Sequence, residues 1–121
     1  MKYRDFKLCV PCTDTEGNFC GFDYSVSKKI TIGDKGFMIK NTHASFTSYH
    51  TFLFKDIISV YNVQTINNSH YAFNIRGYSI ECPGPDQEHI GIHTINQDDC
   101  KKIHEIILQN TSSSKMATLS Y

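Results

Sequence analysis

No stretch of this 121-residue sequence approaches the ~18 consecutive apolar residues that a membrane-spanning helix needs. Charge of either sign is missing in sum: 12 Lys+Arg balance 12 Asp+Glu. That argues against a broad electrostatic hold on nucleic acid or anionic lipid, although a local patch can still form. No direct nucleic-acid binding is therefore expected. Residues 1–7 carry no apolar core of the kind an export signal needs, so a cytoplasmic protein is expected. Catalytic signatures are lacking too. There is no H-E-x-x-H, no H-x-E paired with C-x-x-C, and no G-x-S-x-G elbow. No residue set supplies nucleophile, base and oxyanion donor together, so the reading is of a protein that is not an enzyme.

What is present is a globular composition, 40% hydrophobic and 20% charged, at a length that suits one domain. From Ser27 onward the chain reads as short strands separated by turn chemistry. Residues 29–32 alternate, Gly33-Asp34-Lys35-Gly36 is a turn, and residues 37–40 return. Here the two glycines and the aspartate are expected to supply the positive-φ positions of a short hairpin. Residues 41–49 are polar and Ser/Thr-rich, which predicts a loop or an irregular edge. Further strands are predicted over 50–54, 57–63, 71–75, 78–82 and 89–95, with a turn at Asn67-Asn68-Ser69 and a firm break at Pro83-Gly84-Pro85-Asp86.

One helix follows. Asn96 is a natural N-cap, and Asp98 and Asp99 occupy the first turn, where carboxylates complement the helix dipole. Cys100, Ile103, Ile106 and Ile107 recur at helical spacing as one apolar stripe, and the helix is expected to end near Asn110. The predicted class is α+β: a strongly bent antiparallel sheet or partial barrel of about six to seven short strands, closed by one C-terminal helix. Three parts are expected: a cysteine-containing segment (1–26) packed on the domain, the α+β domain itself (27–110), and a flexible tail (111–121).

The strand, Gly-Asp-Lys-Gly turn and strand of 30–40, then Phe54-Lys55-Asp56-Ile57-Ile58-Ser59-Val60, then the acidic-capped helix of 96–109, together resemble bacterial pleckstrin-homology-like domains over residues 27–110. The resemblance implies a helix-closed barrel. It also implies a binding function for lipid headgroups or a membrane-associated protein, with Lys28, Lys29, Lys35 and Lys40 around the first hairpin as the lipid-facing residues. The arginine that normally accompanies such lysines is missing, and Asp34 sits in the turn. The segment from Cys9 to Cys20 lies outside the resemblance.

Five cysteines occur, three of them within residues 9–20. Cys9-Val10-Pro11-Cys12 is a C-x2-C knuckle, with Cys20 after a turn-rich bridge, and such spacing suits thiolate ligation of a structural Zn2+. The fourth ligand is expected to be Cys82 in its proline turn, with Cys100, His104, His43 and His50 as alternatives. Without a second knuckle, the same residues also fit free thiols, and an odd count with no export signal is against a disulfide framework. His89 and His93, four apart on a predicted strand, would share a face.

The chain has 8 Phe, 7 Tyr and no Trp. Tyrosine suits interfaces because it offers apolar area with a polar tip. Phe46, Tyr49 and Tyr61 are expected to face a protein partner. The functional expectation is a non-catalytic protein-binding module with a structural zinc site. In size and character it is reminiscent of small phage-encoded anti-CRISPR inhibitors of host defence nucleases.

Overall fold

Strand alternation sets the inner face. In β4 (Ser27–Ile32) and β5 (Gly36–Thr42), Ile30, Ile32, Phe37 and Ile39 are buried, while Lys29, Thr31, Met38 and Lys40 lie on the other face. The computed structural model describes residues 3–82 and 84–111; Pro83 and all of the expected tail beyond Thr111 lie outside the described residues.

Ahead of β4 come β1 (Arg4–Leu8), β2 (Pro11–Thr13) and β3 (Phe19–Phe22); after β5 come β6 (Thr47–Val60), β7 (Gln64–Ile66), β8 (His70–Ser79), β9 (Glu88–Thr94) and the helix α1 (Gln97–Gln109). The main sheet runs β1-β4-β5-β6-β8, with β7 and β9 also paired to β8, and all these pairings are antiparallel. It curls into a half-barrel closed by the C-terminal helix, the α+β class that the sequence pattern predicts.

Phe52, Phe73, Ile75 and Ile92 fill the concave side, and α1 lays Cys100, Ile103 and Ile107 against them. Each such side chain contributes ~1.5–3 kcal/mol on burial. The helix starts where local chemistry dictates. Asn96 adopts an extended conformation, and its side chain accepts hydrogen bonds from the amides of Asp98 (2.8 Å) and Asp99 (3.3 Å).

Several strands differ from their predicted bounds. Residues 47–49 belong to β6, paired with β5 as far as Thr42↔Thr47, and are not a loop. The two strands predicted at 50–54 and 57–63 are one, bent by register shifts between Phe52 and Ser59. A bulge of this kind bends a strand without ending it. Opposite the bend, Gly77 admits the β6 backbone: a Cβ there would stand 2.9 Å from the Asp56 carbonyl. β8 therefore runs unbroken through Gly77 to Ser79. The glycines of the β4–β5 turn do not adopt positive φ, contrary to the sequence expectation. Gly36 is required for space, since its Cβ would meet the Phe52 carbonyl oxygen at 2.1 Å. The Asn67-Asn68 turn does use positive φ, at 51° and 55°.

The amino-terminal segment divides. β1 enters the main sheet beside β4, whereas β2 and β3 form a separate hairpin. Phe19 packs tilted, and Phe22 edge-on, against His70 at the start of β8. They cover the convex side there, and His70 is only 1% exposed.

Candidate functional site

The cysteines singled out by spacing fall at two ends of the molecule. Cys9 follows β1, and its amide donates to the His93 carbonyl at 2.9 Å. Cys12 pairs with Gly21 across the β2–β3 hairpin, and Cys20 is exposed on β3. Cys82 lies beyond Ser79. His93, beside Cys9, pairs with Ala72 near the opposite end of β8. Seven strand steps separate Ala72 from Ser79, about 20 Å. The structure thus keeps Cys9, Cys12 and Cys20 in one region and does not bring Cys82 to them. Of the alternative fourth ligands, Cys100 sits near Cys9 but is buried in the helix stripe. His104 bonds through Nε2 to the Tyr61 carbonyl (2.9 Å), His43 stacks on Phe46, and His50 pairs with Glu88. Among the described residues, no group of three or more His, Cys, Asp or Glu side chains is arranged to hold a metal ion.

Burial pushes the Cys9 thiol up, and pushes the Cys100 thiol up to about 11. Cys82 is raised chiefly by its hydrogen bond to Glu88 and that group's charge. All three are protonated at neutral pH, and the thiolate is the nucleophilic form. Glu88 is the centre of a polar cluster: Ser79 Oγ donates to it at 2.9 Å, and His50 Nδ1 lies 3.2 Å away. Burial alone would raise the Glu88 carboxyl. The hydrogen bonds from Cys82, Ser79 and His50 outweigh that and hold it below its ordinary range. The cluster fastens the start of β9 to β6 and the end of β8. It presents a thiol donor, not an activated sulfur.

The aromatic residues separate in a similar way. Phe46 (58% exposed) lies in the turn before β6, with His43 stacked on it at 4.5 Å, and Tyr49 (42% exposed) follows on β6 opposite Lys40. Tyr61 is half-buried past the far end of β6, its amide bonded to Asn74 and its carbonyl near His104, so it is not part of that surface.

A feature missed by spacing arguments adjoins Tyr49. Lys7 pairs with Lys29, Lys29 with Lys40, and Lys40 with Tyr49, so three lysines and a tyrosine form one row across β1, β4, β5 and β6 on the convex face. Residues directly opposite in a sheet hold their Cβ atoms about 5 Å apart, and like charges so placed repel. None of the three lysines is in an ion pair among the described residues. The lipid-facing set expected from the resemblance is divided by this geometry. Lys29 and Lys40 share the convex row, Lys35 is exposed in the β4–β5 turn, and Lys28 falls on the concave side with Ile30 and Ile32. The row was findable only with the β1 register, which pairs residues far apart in sequence.

His93 is likewise drawn in. It is half-buried beside His70, with ring centroids 5.4 Å apart, while His89 on the same strand stays exposed. Burial, with the neighbouring His70 and Lys28 charges adding, lowers the His93 imidazole to about 4. No helix among the described residues is long and apolar enough to cross a membrane. Comparison with known proteins finds no matching protein family and no similar curated protein.

Proposed function

We propose that the protein is a non-catalytic protein-binding module that docks a partner on its convex face. The observation that carries this reading is the exposed Tyr49 in register with the row Lys40, Lys29 and Lys7, with the exposed Phe46 three residues before it. Aromatic side chains supply area, and a row of three lysines in no ion pair among the described residues, with Asp5 the carboxylate beside it on the same face, favours an acidic partner surface and speeds encounter with it. All five cysteines are free thiols, which suits a partner met in a reducing cytoplasm. Inhibition of a host defence nuclease is one form this binding would take. A face with this charge would seat on an acidic or apolar region of such an enzyme, since a channel built for nucleic acid is itself basic. The zinc expected at Cys9, Cys12, Cys20 and Cys82 is not needed for this reading.

The test compares the unaltered chain with two double variants, Phe46→Ser/Tyr49→Ser and Lys29→Glu/Lys40→Glu, against purified defence nucleases and in quantitative capture from host extract. A complex lost in both variants, with melting temperature held, supports the proposal. A complex indifferent to both variants overturns it. Co-sedimentation with anionic vesicles, lost on substitution of Lys29, Lys35 and Lys40, would move the reading to lipid headgroups.

A further inference from the structure

A cavity of about 310 Å³ opens between the end of β1, the end of β3 and the first turn of α1. Val10, Phe22, Val26 and Ile95 give it mainly apolar walls, and Tyr24, 84% exposed, stands at it as well. This volume is at the small end of the ~300–1,000 Å³ typical of ligand pockets.

Lys28 lines the cavity from the concave side of β4, directly opposite the buried Leu8. An inward lysine normally has a carboxylate to meet it. Here none does: Lys28 is in no ion pair among the described residues. Burial lowers its ammonium, and the only charge acting the other way is the Cys9 thiolate. Cys9 is itself raised by burial, so at neutral pH it is a thiol and offers no counter-ion. Asp23 and Asp99 also line the cavity, yet the Asp23 carboxylate is taken up by the amide (2.9 Å) and hydroxyl of Ser25, and Asp99 sits in the first turn of α1, where the helix dipole favours it.

The geometry points to a binding site for a small monocarboxylate with an apolar body, its carboxylate on Lys28 Nζ and its hydrocarbon part against Val10, Phe22, Val26 and Ile95. A single inward cation matches one negative charge. A dianion such as a phosphate monoester would need a second inward cation, and the other lysine at the cavity, Lys7, is exposed and shares the opposite face with Lys29. It would also meet about twice the repulsion from Asp23 and Asp99 that a monoanion meets. A neutral apolar molecule would leave the Lys28 ammonium without an anion, the defect that the carboxylate corrects. Lys7 stands at the rim of the cavity and at the end of the convex row, but Lys29, Lys40, Phe46 and Tyr49 do not line the cavity, so the two sites are tested by different variants.

The experiment is a two-dimensional amide NMR titration of the full chain with phenylacetate, with its neutral isostere phenylacetamide, and with phenyl phosphate. Phenylacetate is expected to give saturable shifts confined to residues 7–10, 22–28 and 94–99, with affinity at least about tenfold above that of phenylacetamide. Lys28→Met should abolish that preference, while Lys29→Met, on the opposite face, should keep it. Equal binding of acid and amide, no saturable shift with either, shifts mapping elsewhere, or tighter binding of phenyl phosphate would each overturn the assignment. The acid-against-amide comparison needs no variant, so it decides the matter even if Lys28→Met fails to fold.

Discussion

The Cys9 amide and the His93 carbonyl, 2.9 Å apart, tie the end of β1 to β9. β1 otherwise pairs only with β4, and β9 only with β8, so this bond joins the two edges of the curled sheet. Cys9→Pro removes the donor and is expected to cost about 1–3 kcal/mol of unfolding free energy in urea. Cys9→Ala keeps the amide and should cost clearly less. Equal losses would show that the side chain, not the amide, carries the effect.

Acid should loosen the same region. In the folded chain His93 stays neutral down to about 4, and burial lowers His70 too. Unfolded histidines take up their protons near pH ~6.5, so below that value the unfolded chain binds more protons than the folded one. The histidine contribution to stability is therefore constant above ~6.5 and falls as pH drops from there toward about 4. Urea titrations across this window are expected to lose on the order of 2–3 kcal/mol, and His93→Gln should flatten the profile.

Two glycines of one turn separate space from conformation. Gly36→Ala would press a methyl group onto the Phe52 carbonyl oxygen, a backbone atom, and is expected to cost about 3 kcal/mol or more. Gly33→Ala meets only the ring of Tyr3, an exposed side chain that can swing away, and should be nearly silent. Melting temperatures of the two variants check the contrast.

Asn96→Ala strips the acceptor from the amides of Asp98 and Asp99 and should destabilise the chain by about 1 kcal/mol. Asn96→Asp, also a good cap, should restore most of it. A helix-directed circular dichroism melt reads both.

The position of Cys82 makes a statement about metal. Whatever zinc the purified chain carries should be unchanged in Cys82→Ser, because Cys82 stands at the far end of β8 from Cys9. A drop in zinc content on that substitution, measured by mass spectrometry, would contradict the placement.

Features that depend on neighbours in sequence were legible beforehand. The helix was read from Asn96, its two aspartates and the Cys100–Ile107 stripe, all within four turns. β4 and β5 were read from their alternation. The joins at Lys55-Asp56 and Gly77 were not, because a bulge in one strand and a glycine in another make sense only together. β1 was hidden because its partner lies more than twenty residues away. At the candidate sites, the inward turn of Lys28 could have been seen, since it shares parity with Ile30 and Ile32. The exposure of Phe46 and Tyr49 matches the expectation from the polar run around them, whereas the half-burial of Tyr61 could not be seen, for it depends on Asn74 and His104 from distant parts of the chain.

That β1–β9 bond also bears on how the chain reaches its native state. Its partners come from near the two ends of the described sequence, so closing that loop carries one of the largest entropic costs in the fold and is expected among the last steps. The monocarboxylate cavity is built from the same late-meeting segments, the end of β1 and the start of α1. A ligand there would bind only the finished protein and would slow its opening, so a trapped intermediate would hold the hydrophobic interior without the pocket.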